Sequence, residues 1–259
     1  MKKLSFCIAL FASIQLTPAQ TNPASIEVES VKKHLYTLAS DAMEGRRAGT
    51  PGIERAAQYI ESEFERIGLS KYNNLPTYRQ NFTARNLKMF NVIGVLEGKS
   101  KKDEYVVISA HYDHLGVKKE GEGDMIYNGA DDDASGTTAV LALAEYFTAL
   151  GTNERTLIFV AFTGEEMGLL GSRHFGKEVN AAQFIAGINI EMIGKDSSYG
   201  SKTAWLTGFD RSDFGTIIQK NLEGTGYQLF PDPYPTQRLF FRSDNASLAQ
   251  LGIPSHTFS

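Results

Sequence analysis

Short, almost unbroken apolar runs constrain this chain more than any other feature. Val106-Val107-Ile108-Ser109-Ala110 and Leu157-Ile158-Phe159-Val160-Ala161-Phe162 do not alternate apolar with polar residues, as a strand with one wet face would. They read as strands covered on both faces. Similar runs predict strands over Asn91 to Leu96, Tyr105 to Ala110, Thr156 to Phe162, Phe184 to Ile190 and Ala204 to Thr207. Apolar residues at helical spacing predict helices over Ser25 to Ala39, Ile53 to Ile67, Ala134 to Leu150, Leu169 to Lys177 and Asp210 to Glu223. Arg46 to Gly52 reads as a Gly- and Pro-marked loop, and Asn73 to Arg85 as a polar stretch. Strand and helix in alternation predict an α/β fold: a three-layer α/β/α sandwich around a mostly parallel mixed sheet. No internal repeat, low-complexity tract or linker divides the chain, so residues 20–259 read as one domain.

Residues 1–19 read differently. Lys2 and Lys3 precede an apolar run, Leu4 to Leu16, and then Thr17-Pro18-Ala19. This is the pattern of a secretory signal, and a secreted or periplasmic location is expected. As a helix the run covers only about 20 Å of a hydrocarbon layer about 30 Å thick, so no stable membrane anchor is expected. Its removal takes away Cys7, the only cysteine, and leaves any metal to His, Asp and Glu. Removing Lys2 and Lys3 lowers the 26 basic residues to 24 against 30 acidic ones, a charge of −6. That balance disfavours nucleic acid and anionic membranes as partners.

Four polar clusters follow the apolar runs or open the helices after them. His111 and Asp113 lie two residues apart at a strand end, on one face of an extended chain. Asp113 could then accept a hydrogen bond from one imidazole nitrogen of His111 and leave the other free for a metal. Alone, the pair is weak evidence, and a satisfied surface histidine near an Asp explains it better. Gly129-Ala130-Asp131-Asp132-Asp133-Ala134-Ser135-Gly136 is harder to explain that way. A helix cap needs one Asp, not three, and a divalent cation would relieve their repulsion. Glu165-Glu166 stands in a Gly-flanked strand-to-helix turn, where one carboxylate could coordinate metal and the other act as a general base. Glu191 closes the run Ile188-Asn189-Ile190, where a lone acidic group seldom sits without a partner. Open α/β sheets place sites outside strand ends, which predicts that all four clusters meet in one cleft.

Taken in order, His111-Tyr112-Asp113, Gly129 to Gly136, Glu165-Glu166 and Glu191-Met192 resemble the co-catalytic dinuclear zinc aminopeptidases of metallopeptidase family 28. Relatives of that family include glutamate carboxypeptidases and glutaminyl cyclases. The resemblance extends from Leu38-Ala39-Ser40-Asp41 and Gly45-Arg46 to Gly252-Ile253-Pro254. It implies that Asp132 bridges two zinc ions, that His111 and Glu191 complete one metal site, and that Glu166 serves the other. It makes Glu165 the general base and Asp113 the partner that orients His111, and it implies a cis peptide between Asp132 and Asp133. The implied reaction is exopeptidase hydrolysis of a peptide substrate by a zinc-bound hydroxide, with the metals about 3.5 Å apart. The family more often has Asp where this chain has Glu191.

The resemblance also implies a last zinc ligand, a His roughly a dozen residues past the Gly-x-Pro strand. Here only Ser255-His256-Thr257-Phe258-Ser259 follows Pro254, and His256 falls inside the strand itself. The expectation is that the final ligand loop and C-terminal helix are missing, leaving the second metal only Asp132 and Glu166. If these 259 residues are the whole protein, at most one tightly held zinc and little peptidase activity are expected; if they are a fragment, the intact protein should hold two. His34 and His174 read as solvated helix positions, and His114 receives no ligand role. Ser243-Asp244-Asn245 is a candidate substrate contact. The alternatives to an aminopeptidase are a single-zinc glutaminyl cyclase and a noncatalytic peptide-binding domain of the same fold.

Overall fold

The computed structural model describes residues 25–259, so the signal-like segment 1–19 lies outside the described residues. The helices are α1 (Val28–Leu38), α2 (Pro51–Ile67), α3 (Gly136–Leu150), α4 (Leu170–Glu178), α5 (Phe214–Leu222) and α6 (Asn245–Ala249). The strands are β1 (Ser70–Lys71), β2 (Arg79–Ala84), β3 (Leu87–Leu96), β4 (Lys101–His111), β5 (Gly116–Val117) and β6 (Ile126–Tyr127), then β7 (Arg155–Phe162), β8 (Phe184–Ile190), β9 (Thr203–Leu206), β10 (Gln228–Pro231) and β11 (Ser255–Phe258). Nine of these strands form one sheet in the order β1-β3-β7-β4-β8-β11-β9-β10, with β2 on β3. The inner strands β7, β4, β8 and β11 run parallel, β3 is antiparallel to its neighbours, and β9 is antiparallel to β11 but parallel to β10. The architecture is the predicted α/β sandwich with a mixed, mostly parallel sheet.

The unbroken apolar runs have a direct structural cause. Along β7, Leu157, Phe159 and Ala161 enter a core shared with α1, α2 and α3, whereas Ile158, Val160 and Phe162 enter a second core with Phe175 of α4 and Leu248 of α6. Successive residues of a strand face opposite sides, so a strand between two helical layers has no wet face to fill with polar residues. Helix α2 buries Ile53, Ala56, Ala57, Ile60 and Phe64 at spacings of three and four. Pro51 opens it, and Gly68 ends it at φ 87°, a left-handed conformation that glycine adopts without steric cost.

Several expectations are corrected. The polar stretch 73–85, for which no strand is predicted, contains β2, an edge strand whose Arg79 is held by Glu61 and Glu54 at 2.9 Å, so its polar residues cover a rim. Helix α3 begins at Gly136 rather than Ala134, because Asp132 and Asp133 lie outside helical backbone angles. His34 is fully buried between α1, α2 and α3 rather than solvated, since its ring nitrogens find Tyr59 Oη at 2.7 Å and Ser30 Oγ at 3.2 Å. His174 is half-buried and stacks on Phe82 at 4.6 Å. Among the described residues, no helix is long and apolar enough to cross a membrane.

Candidate metal centre

Because β4, β7 and β8 are parallel, their C-terminal ends open on one side of the sheet, and each carries a polar cluster just beyond its last apolar residue. β4 ends in His111, β7 is followed by the turn bearing Glu165 and Glu166, and Glu191 directly follows β8. The loop into α3 brings Asp131, Asp132 and Asp133 to the same place. This is the crevice outside the carboxyl ends of the strands.

The three aspartates divide their work. Asp131 accepts the Gly194 N–H at 2.9 Å and pairs with Lys195 at 2.9 Å. Asp133 is fully buried and accepts the N–H groups of Gly136 at 2.9 Å and Met192 at 3.2 Å, tying the start of α3 to the loop after β8. The peptide between Asp132 and Asp133 is cis. Asp132 is left to face histidines with both oxygens: Oδ1 lies 3.1 Å from His111 Nε2, and Oδ2 lies 3.8 Å from His114 Nδ1.

His111 is held in one tautomer. Its Nδ1 lies 3.0 Å from the Asp113 backbone carbonyl, which can only accept, so Nδ1 carries the proton and Nε2 offers its lone pair. The sequence reading assigned that bond to the Asp113 carboxylate. In the structure the nearer carboxylate oxygen is 3.7 Å away and instead accepts the Glu165 N–H at 3.1 Å. Asp113 thus ties the general-base candidate to the histidine strand. Glu191 is steadied by Ser243, whose hydroxyl donates to it. Behind Ser243, Asn189 donates to Ser243 Oγ at 2.7 Å and to Thr257 Oγ1 at 3.1 Å, and accepts from Ser109 at 2.9 Å. This polar file crosses β4, β8 and β11 inside the sheet and ends on Glu191, so its neighbours Ser243 and Thr257 are buried.

Two groups of donor atoms result: His111, Asp132 and Glu191, and His114, Asp132 and Glu166, each with atoms within 4.8 Å of one another. The groups share Asp132. His111 Nε2 is buried and has no hydrogen-bond partner, as expected of a nitrogen whose partner is an ion. The local charge agrees. Burial pushes Glu165 up to about 9, with Asp244, Glu191 and Asp113 adding repulsion against the pull of His111. Burial likewise raises Glu191, pushes Asp133 well above the usual carboxylate range, and lifts Asp244 to about 7. Burial alone would lower His111, but the surrounding carboxylates of Asp113, Asp132, Asp133 and Glu165 hold it well above an ordinary imidazole. Without a cation the site keeps protons on groups that would normally shed them. A divalent ion supplies the missing positive charge, so the residues present fit one.

Arg46 is the side chain that sequence reading passed over. It is fully buried, and it donates to the carbonyls of Tyr112 at 2.9 Å, Asn128 at 2.6 Å, Gly129 at 2.9 Å and Leu38. These bonds brace the β4 loop against the aspartate loop. Burial lowers its pKa to about 10, opposed by Asp133, Asp113 and Asp132. Its donors are spent on carbonyls, so it stiffens the site without neutralising a carboxylate by contact. A buried Arg leaves no signal in periodicity, though its place beside a glycine at φ 60° marks a special turn.

His256 takes no part. It lies in β11 with Nδ1 at 2.9 Å from the Thr207 carbonyl and Nε2 at 2.7 Å from Ser212 Oγ, stacked on Phe214 at 5.4 Å. Both nitrogens are satisfied. Beside the metal groups lies a cavity of about 440 Å³, lined by Glu165 and Glu166 and by Trp205, Tyr234, Leu239 and Arg242.

Comparison with known proteins agrees with this geometry. Residues 91–259 match peptidase family M28. A probable zinc metalloprotease of Pyricularia oryzae is 30% identical over 199 residues, which are 74% of this chain but only 38% of that longer protein. Among solved structures, a zinc aminopeptidase from Bacillus subtilis superposes with a TM-score of 0.72 at 16% identity, covering 92% of this chain and 86% of that one. A glutaminyl cyclase from Porphyromonas gingivalis superposes with a TM-score of 0.68 at 17% identity, covering 90% and 83%. The fold is therefore shared by enzymes of different reactions, and the matched span, more than half of the sequence, decides the family: this chain belongs to peptidase family M28.

Proposed function

We propose that the chain is a zinc-dependent aminopeptidase that acts outside the cytoplasm on peptides with a free amino terminus. The observation that supports it most is Asp132, one carboxylate with a separate imidazole facing each oxygen, which suits a pair of ions rather than one. An all-N/O donor set of His and carboxylates favours zinc. When bound, zinc would supply Lewis acidity to the scissile carbonyl and lower the pKa of water.

The remaining work falls to side chains of this chain. Glu165 lines the cavity and carries a proton readily; next to a divalent cation its raised pKa falls toward the working pH. It takes a proton from the attacking water and returns it to the departing amine. The cavity wall holds the carboxylates of Asp131, Asp132, Glu165, Glu166, Glu191 and Asp196 against the cations Lys195 and Arg242. The likeness to the zinc aminopeptidase of Bacillus subtilis supports aminopeptidase over carboxypeptidase action. Trp205, Tyr234 and Leu239 offer apolar surface for the first side chain. The basic-then-apolar pattern of residues 1–19 supports the extracytoplasmic location.

The test is product analysis on the zinc-loaded chain with one peptide in free and N-acetylated forms. The expected result is release of the first residue from the free peptide alone. Ring closure on a Gln-initiated peptide without residue release would replace the aminopeptidase with a cyclase. Peptide binding with neither product would leave a noncatalytic domain.

A further inference from the structure

We propose that His114 is a metal ligand, with Nδ1 joining Asp132 Oδ2 and Glu166 Oε1 around the second ion. The inference rests on the two-metal reading above and assigns a residue to it. His114 stands three residues after His111, in a loop pinned from both sides: its N–H donates to the Arg46 carbonyl at 3.2 Å, while the Arg46 guanidinium donates to Tyr112 just before it. The ring is seated in a place made for it. A Cβ built on Gly129 would lie 2.3 Å from the Asp132 carbonyl oxygen and 2.5 and 2.7 Å from the His114 ring carbons Cδ2 and Cγ, so glycine there lets both the aspartate loop and the imidazole pack together. Tyr127 meets the ring edge-on at 6.5 Å. The side chain is only 10% exposed, and its orientation is set by packing.

The distances suit a shared ion. Ligand atoms at about 2.0–2.1 Å from a tetrahedral zinc lie about 3.3 Å from each other. His114 Nδ1 is 2.8 Å from Glu166 Oε1 and 3.8 Å from Asp132 Oδ2, on either side of that value. A plain hydrogen bond from Nδ1 to Glu166 would explain the first distance. It would leave unexplained why the free oxygen of Asp132 turns toward the same nitrogen while its other oxygen faces His111 Nε2. One ion beside each histidine explains both halves of the carboxylate.

The experiment measures zinc content and affinity of the full chain by dialysis and elemental analysis, and counts imidazoles per zinc by X-ray absorption. The unaltered chain should hold two zincs with about one imidazole each, one ligand nitrogen per tetrahedral site coming from His111 and one from His114. His114→Gln keeps a donor for Glu166 but removes the imidazole. It should retain one zinc and bind the second about 100-fold more weakly or worse, beyond the loss caused by a displaced hydrogen-bond partner. Two zincs held by His114→Gln at unchanged affinity would overturn the assignment and leave the two-metal reading standing. About half an imidazole per zinc in the unaltered chain would overturn it too, without any variant that must fold. An unaltered chain that never holds a second zinc would instead overturn the two-metal reading itself.

Discussion

Two regions among the described residues bring histidines together with carboxylates, and only the strand-end centre, whose two donor groups share Asp132, is built for ions. Around His34, Glu63 accepts from Lys33 and Arg66 at 2.7 Å each, and Glu145 pairs with Arg66. Burial would raise both carboxylates, yet these cations and the Ser30 hydroxyl hold them below their ordinary pKa. Burial lowers His34, so it stays neutral between Tyr59 and Ser30. Around His111 the buried guanidinium of Arg46 is bound to carbonyls, and Glu165, Glu191 and Asp133 are pushed up. Donor types and distances alone do not separate the clusters, since both satisfy the same spacing. The counter-charge already present does.

The comparison breaks most sharply at Asp132. Asp132→Asn should lose both zincs and lower turnover by about 10⁴-fold or more, whereas Glu145→Gln should leave zinc content unchanged by elemental analysis. Zinc lost from the Glu145 variant would mean that the His34 cluster feeds the centre. Glu165→Gln should keep both zincs and reduce kcat by about 10³-fold, as expected for a lost general base. Equal loss of metal and rate would make Glu165 a ligand instead. Arg46→Leu strips charged partners from several buried carbonyls and should cost about 3 kcal/mol or more by urea denaturation.

A smaller effect follows from protonation. In the metal-free protein the Glu165 pKa rises from 4.5 to about 9, so the folded state keeps a proton that the unfolded chain releases. That contribution is fully present below pH 4.5 and is lost as pH rises through about 9; Asp244, at about 7, acts in the same direction. The Tm of the metal-free chain should therefore fall between pH 5 and pH 9, a decline reduced by Glu165→Gln and by added zinc. A flat profile would mean that these carboxyls are already ionised. Smallest of all, Glu145→Gln should cost about 1 kcal/mol or less in stability, because its ion pair is partly exposed to solvent.

The elements of the fold were legible where burial is two-sided. β8 runs over the predicted Phe184–Ile190, and β7 differs from its prediction by one residue, because Leu157 to Phe162 had no polar residue to suggest any other state. β2 was not legible, since Arg79, Gln80 and Asn81 are strand residues only because β3 and the glutamates of α2 receive them. At the centre, strand ends and acidic pairs marked His111, Asp132, Glu165, Glu166 and Glu191 as a set. His114 escaped because its neighbours in sequence do not show that Gly129 makes room for its ring. His34 misled for the converse reason: Lys33 beside it suggested water, but Lys33 reaches across to Glu63 on α2.

What the sequence determined by itself is the layering and the kind of chemistry. Apolar runs without alternation require helices on both faces of a sheet, and carboxylates with imidazoles at the strand ends, in a chain whose lone cysteine is Cys7, require an N/O site. What the tertiary structure alone decided is which of the equivalent groups take part. Asp131, Asp132 and Asp133 are the same residue three times, and five histidines compete for the role of ligand. Backbone N–H groups claim Asp131 and Asp133, while satisfied hydrogen bonds claim His34 and His256. Asp132 faces His111 and His114 because each alternative donor has already found a partner nearer at hand. Hydrogen bonding is satisfied through space, between residues that the linear order keeps far apart.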